Sequence, residues 1–238
     1  MNKDKLERFI RKYNLNGNVN SVRWKSGNGK VSTSFVTPDK TLLGTVIADK
    51  FDVGDAELGV YFTDQLQKLL GVVGENIESK TTDIEDRVVS LNISDGVVSV
   101  DFVLSDLSVI PEPPALKRIP DFTTQIKVDE KFIDTFVKGV NAISDVETFS
   151  LIQRNGNLSV VIGHSNTNTN RVTIPVEYSG SKVDDIISFS APLFKEVFVA
   201  NKECSSAILE VSTEGLSRIS FKVDDYDSTY YIVSAILV

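Results

Sequence analysis

Residues 111–122 read PEPPALKRIPDF, with prolines at positions 111, 113, 114 and 120. Proline locks φ and removes a backbone donor, so this density excludes both a helix interior and a central strand. The segment reads as an extended connector between two domains. It separates residues 1–110 from residues 123–238, and the same order of elements is legible on either side.

The first part opens with a helical pattern. Leu6, Phe9, Ile10 and Tyr13 recur at i, i+3, i+4 and i+7, which gathers them into one apolar stripe. Alternating segments follow at 19–25 (VNSVRWK), 30–37 (KVSTSFVT) and 41–49 (TLLGTVIAD), separated by SGNG and PD turn signals. A strand is expected near Leu58–Phe62. Beyond it Leu66, Leu69, Leu70 and Val73 repeat the helical spacing, with Thr63 placed to cap. Two strand-like runs close this part, DRVVSLNIS and GVVSVDFVL, joined by a turn at Ser94-Asp95-Gly96.

The second part repeats the order. A strand (FTTQIKV, 122–128) leads into a helix whose Phe132, Ile133, Phe136, Val137 and Val140 share one face. Strands ETFSLIQRN, LSVVIGH, RVTIPVE and DDIISFS follow, with an Asn155-Gly156 turn between the first two. Next comes a helix at SAPLFKEVFVANK, capped by Ser190, with Pro192 in the first turn and Phe194, Val197 and Phe198 as its buried stripe. SSAILEVS, GLSRISFKV and STYYIVSAILV supply the last strands. Such duplication implies an α+β chain of two similar domains, each with antiparallel sheets and two helices on one face.

Composition excludes several classes. The 238 residues are 41% hydrophobic and 24% charged, as in ordinary globular proteins. No apolar run approaches the ~20 residues that span a bilayer, and charges interrupt MNKDKLERFIRKYN too often for a secretion signal. The single cysteine, Cys204, rules out an intramolecular disulfide and fits a reducing, cytoplasmic compartment. One histidine and one cysteine make no zinc site. His164, in GHSNTNTN, reads as a loop residue, and Cys204 as a half-buried residue near a strand start. Gly27 to Lys30 (GNGK) lacks phosphate-loop spacing and reads as a hairpin turn. Asp224, Asp225 and Asp227 lack the glycine and distal glutamate of a calcium loop and read as a solvated turn. No catalytic site, metal or cofactor is expected.

Charge placement points to a partner. The net charge is -8, yet the first helix carries Lys3, Lys5, Arg8, Arg11 and Lys12 against Asp4 and Glu7. A spacing of ~100° per residue turns Lys5, Arg8, Arg11 and Lys12 away from the apolar stripe. Lys68, Lys131, Lys138, Lys195 and Lys202 are expected to point outward from the other three helices. Exposed helix faces commonly carry lysine, and Asp134 and Glu196 dilute the pattern. The same bias on all four helices of an acidic chain nonetheless suits a polyanion, with contacts to phosphates that do not read sequence.

The order of elements, the helix faces and the connector together resemble the sliding clamps, the DNA polymerase processivity factors. The resemblance is closest to the clamps of T-even type bacteriophages. It is carried by PPALKRIPDFTTQIKVDEKFIDTFVKGV, GHSNTNTNRVTIPVEYSG and YYIVSAI, and in the first part by FDVGDAELGVYFTDQLQKLLGVV. It implies a ring of six similar domains, hence three copies of this chain, with helices lining a hole for duplex DNA. It also implies a DNA polymerase and an ATP-driven clamp loader as partners, with no membrane. The resemblance places the subunit interface between strands near Val97–Val103 and Arg171–Glu177, with Phe102, Val172 and Ile174 as candidate contacts; Pro175 independently marks an edge strand. A partner-peptide pocket is expected at Leu116 and Ile119 of the connector, which flank Lys117 and Arg118, with Val233 or Ala235 of the last strand as the opposite wall. Set against this reading is a β-rich phage structural protein of a tail or baseplate, for which outward lysines on four helices have no evident use.

Overall fold

The computed structural model describes residues 1–235 except 52, 86, 166, 168 and 184. It divides into two units, one of Met1–Pro114 with the short segment Asp224–Ser228, the other of Ala115–Val223 with Thr229–Val238. The division between Pro114 and Ala115 falls inside the proline-rich stretch, which carries no regular secondary structure.

The first unit begins with α1 (Lys3–Asn14), then β1 (Val22–Gly27), β2 (Lys30–Val36), β3 (Leu42–Asp49) and β4 (Ala56–Val60). α2 (Thr63–Leu70) follows, then β5 (Glu78–Ile84), β6 (Arg87–Ser94) and β7 (Ser99–Val103). β4, β1, β2 and β3 pair antiparallel in that order, and β5, β6 and β7 form a second antiparallel sheet. Asn28 and Gly29, at φ 54 and 70, make the two-residue β1–β2 turn expected at GNGK. α1 packs on β3 and on α2, and α2 packs on β7, so the helix pair covers both sheets.

The apolar stripe of α1 forms as the spacing requires, with Leu6, Phe9, Ile10 and Tyr13 fully buried. Phe9 and Tyr13 meet Trp24 edge-on at 5.3 and 6.2 Å, and Phe51 and Phe35 close the cluster. Thr63 does not cap α2 as expected. The helix starts at Thr63 itself, and the cap position, Phe62, makes no side-chain bond. The buried Thr63 hydroxyl instead lies 3.2 Å from the Tyr13 hydroxyl. Burial pushes the Tyr13 phenol well above its ordinary value, so it stays protonated as the partner of Thr63.

In the second unit, β8 (Thr124–Asp129) leads into α3 (Glu130–Ala142), capped by the Asp129 carboxylate, which accepts from the Phe132 amide at 2.8 Å. β9 (Thr148–Arg154), β10 (Asn157–Ile162), β11 (Val172–Pro175), β12 (Tyr178–Gly180) and β13 (Ile187–Ser190) follow. α4 (Ala191–Ala200) comes next, with Ser190 as its cap and proline in its first turn, then β14 (Ser206–Val211), β15 (Leu216–Val223) and β16 (Tyr226–Val233). One sheet runs β11–β10–β9–β13, and β12, β8, β14 and β15 pair in order in the other. α3 packs on β8 and β11, and α4 on β9 and β13. Between them, rings of Phe132, Phe136, Phe149, Phe189, Phe194 and Phe198 meet at centroid distances of 5.0 to 6.0 Å. Both units are thus antiparallel sheets under a helix pair with an aromatic core, an α+β architecture built twice. No helix of the described residues is long and apolar enough to cross a membrane.

Two strands carry no signal in the sequence. β5 (ESKTTDI) has no buried residue, so no apolar alternation marks it; its register comes from β6. β12 is three residues long and takes its place from β8.

Candidate nucleic-acid interface

The nine cations expected on the helix surfaces sort into three groups. The first is tied down. Lys5 Nζ donates to Asp225 Oδ2 at 2.8 Å, and Arg8 Nη2 to Asp224 Oδ2 at 2.8 Å. The Arg8 guanidinium also lies 4.7 Å from the centre of the Tyr226 ring. Lys138 pairs with Asp134 one helical turn away at 2.7 Å, and Lys195 with its neighbour Glu196 at 3.1 Å.

Lys12 stands alone in the second group and corrects the expectation. It is fully buried, its ammonium 5.4 Å from the Tyr226 ring centre. The reason is geometric. At ~100° per residue Lys5 and Lys12 lie roughly a quarter-turn from the centre of the apolar stripe, not opposite it. That flank is covered by the Asp224–Tyr226 turn, which has no counterpart in the local sequence of α1.

The third group is exposed. Arg11 on α1, Lys68 on α2, Lys131 on α3 and Lys202 just past α4 have no ion-pair or hydrogen-bond partner for their side chains among the described residues. α1, α2 and α3 thus each present to solvent a cation with no ion pair among the described residues, and Lys202 lies in the turn that follows α4. Exposed ion pairs add little to stability, but they do cancel charge at a distance, so the unpaired group dominates what a polyanion meets.

The acidic turn is held firmly. Asp225 takes hydrogen bonds from Lys5 and from Lys50 Nζ at 2.8 Å each, and its carbonyl accepts from the Asp49 amide at 2.8 Å. The Tyr226 hydroxyl donates to the Lys5 carbonyl at 2.7 Å. The Lys5 hydrogen bond, then that of Lys50, pulls the Asp225 carboxyl from its ordinary 3.8 down to about 2. A carboxyl that binds its proton more weakly when folded stabilises the fold above its ordinary value and loses that contribution as pH falls toward 2. Asp225→Asn should lower the urea midpoint at about pH 6, with the difference from the parent shrinking at about pH 3.

The strands expected at an interface lie at sheet edges. β7 ends the three-stranded sheet, and β11 ends the four-stranded one, with Pro175 opposite Ser159. Phe102 and Ile174 are 3% and 8% exposed and turn into their own units, while Val172 is half-buried. Alternation places Val103, at 77% exposure, and Thr173 on the outward faces instead. A cleft of about 260 Å³ runs beside the β11 edge, with Lys131, Phe132, Ile174 and Pro175 in its wall.

At the connector, Leu116 and Ile119 are 39% and 44% exposed, so both offer apolar surface to solvent. Arg118, itself exposed, is engaged with Glu214 at 3.3 Å, leaving Lys117 as the connector cation with no ion pair among the described residues. Gly215, next to Glu214, accepts from the Ser234 amide at 2.7 Å, which brings the connector and the end of the chain to the same turn. Val233 closes β16 on its outward face at 46% exposure; Ala235 lies past the strand, its amide donating to Ser188. The strand expected to run to residue 238 ends at Val233, and 236–238 fall outside the described residues. His164 lies half-buried in the loop after β10, and Cys204 is buried with Sγ 3.1 Å from the Ser206 carbonyl. No three His, Cys, Asp or Glu side chains among the described residues gather as a metal site.

Neither a protein-family model nor a curated protein sequence matches the chain. Solved structures do. The proliferating cellular nuclear antigen of Entamoeba histolytica superposes with a TM-score of 0.73 over 99% of this chain and 97% of its own, at 13% identity. The PCNA2–PCNA3 complex of Sulfolobus tokodaii gives 0.71 over 98% and 97%, at 14% identity. Two separate matches that take in nearly the whole of both chains establish the fold of this protein as that of the PCNA-type clamps.

Proposed function

We propose that this protein is a sliding clamp, a non-catalytic ring that encircles duplex DNA and tethers a replicative DNA polymerase to it. The observation that carries this reading is the set of exposed cations with no ion pair among the described residues, on α1, α2 and α3 and just past α4, on a chain of net charge -8. The likeness of fold to the PCNA structures supports it. Arg11, Lys68, Lys131 and Lys202 are the phosphate contacts in this reading, with Lys5, Arg8, Lys138 and Lys195 contributing less because each already holds a carboxylate. Sparse contacts of this kind are equivalent at every register of the duplex, which is what sliding requires.

The ring consists of three copies joined head to tail through the β7 and β11 edges. An ATP-driven loader opens it, and partners dock apolar peptides between Leu116, Ile119 and Val233. The sequence resemblance to clamps of T-even type bacteriophages makes a phage replication machine its setting.

Topology is the test. On a linear duplex blocked at one end, a concentrated sample should thread on from the free end. Capping that end with a bound protein should then hold the clamp through a high-salt wash, and cutting the duplex should release it. Equal retention on open and capped DNA would mean that no ring surrounds the duplex.

A further inference from the structure

The outward faces of the two edge strands differ in charge. On β7 the outward positions are Ser99, Asp101 and Val103, all exposed, and only Asp101 is ionisable. Its carboxylate accepts from the Asn92 amide at 2.9 Å, a neutral donor that leaves the negative charge in place. Lys80 on β5 lies two strands away, about 10 Å at the usual strand spacing, and makes no ion pair with it. At the β11 edge the outward positions are Arg171, Thr173 and Pro175, again all exposed. Arg171 and Arg154 line a cleft of about 230 Å³ over β9, β10 and β11, whose walls hold no Asp or Glu among the described residues. Neither guanidinium has an ion pair or hydrogen bond among those residues, and Asp145 and Glu147 line the neighbouring cleft without pairing to either.

Strand parity limits how these faces can meet. A joint that keeps Phe102 and Ile174 turned into their own units brings positions 99, 101 and 103 beside 171, 173 and 175, because a slip of one residue reverses a face. The register that overlaps the strands most fully sets Asp101 opposite Thr173 and diagonal to Arg171. That diagonal is about 7–8 Å between Cα atoms, within reach of a guanidinium. Two β7 edges paired in the same way set Asp101 against Asp101. We infer that Asp101 and the next copy's Arg171 form an ion pair that selects the β7–β11 joint over one between two β7 edges. This rests on the ring reading. An exposed pair adds little strength, so its effect is on the choice of edge: opposite charges meet in one joint and like charges in the other.

The experiment follows the full chain by sedimentation velocity across a dilution series, with native mass spectrometry for mixtures. Asp101→Lys or Arg171→Glu alone turns the pair into a repulsion and should move trimer dissociation to roughly tenfold higher concentration. The two together restore opposite charges and should return the parental midpoint, which a merely structural role of either residue would not do. Mixing the two single variants should give heteromers at concentrations where neither assembles alone, because each supplies the charge that the other's joint lacks. A pair within one chain would not behave so. Both positions are exposed, so the urea midpoint should hold. If Asp101→Lys disturbs β6 through Asn92, Asp101→Asn keeps an acceptor for that amide and removes only charge, with about a two- to fivefold shift expected. Folded single variants with the parental midpoint, or a swapped pair as weak as the singles, overturn the inference and leave the ring standing. A parent chain that is monomeric throughout overturns the ring reading, and this inference with it.

Discussion

Arg11→Glu, Lys68→Glu, Lys131→Glu and Lys202→Glu, combined in one chain, are expected to abolish retention on end-capped duplex while leaving the fold intact. Removing four phosphate contacts from a subunit lowers the log–log salt slope by about 3.6, so raising salt from about 50 to 200 mM should cost the variant on the order of a hundredfold less affinity than it costs the parent. Reversal adds repulsion to the loss. All four side chains are exposed, so the change in stability should stay within about 0.5 kcal/mol for each. The informative contrast is Lys138→Gln with Lys195→Gln. Those lysines already hold Asp134 and Glu196, and neutralising them should weaken retention far less. Equal losses from the two sets would mean that pairing does not govern the contact.

The second large effect concerns assembly. Val103→Lys with Thr173→Lys places a cation on the outward face of each open edge, which is how natural edge strands avoid pairing. Native mass spectrometry should show monomer where the parent gives trimer, with an unchanged urea midpoint. The pair is chosen over Ile174→Asp, the substitution that the sequence alone suggests. Ile174 is 8% exposed and turns inward, so aspartate there would damage its own unit and mimic a loss of assembly. A trimer that survives Val103→Lys, Thr173→Lys would put the interface elsewhere.

Much of the architecture was legible because it rests on local periodicity. The stripes of Leu6–Phe9–Ile10–Tyr13 and Phe132–Ile133–Phe136–Val140 are burial patterns, and burial follows spacing. The turns at Asn28-Gly29 and Asn155-Gly156 follow from positive φ, and Pro175 at a sheet edge follows from its missing donor. What escaped reading depends on contacts distant in sequence. β5 has no pattern of its own, and Lys12 is buried by a turn more than two hundred residues downstream. Strand alternation likewise says that Phe102 and Val103 face opposite ways, but not which faces the core. For the site this meant that residue types and helices were readable, while the division into paired and unpaired cations was not.

The β7 and β11 edges have a further consequence. β7 and β11 are different strands, so a joint between them is not self-complementary and leaves one unused edge at each end of any growing chain of subunits. Whether such a chain closes or winds on as a filament is then decided by the angle at each joint rather than by its strength. A substitution that alters the bend of β11 by a few degrees while keeping every contact would turn closed rings into open helical polymers. Such a defect would be invisible in a binding assay and plain in an electron micrograph.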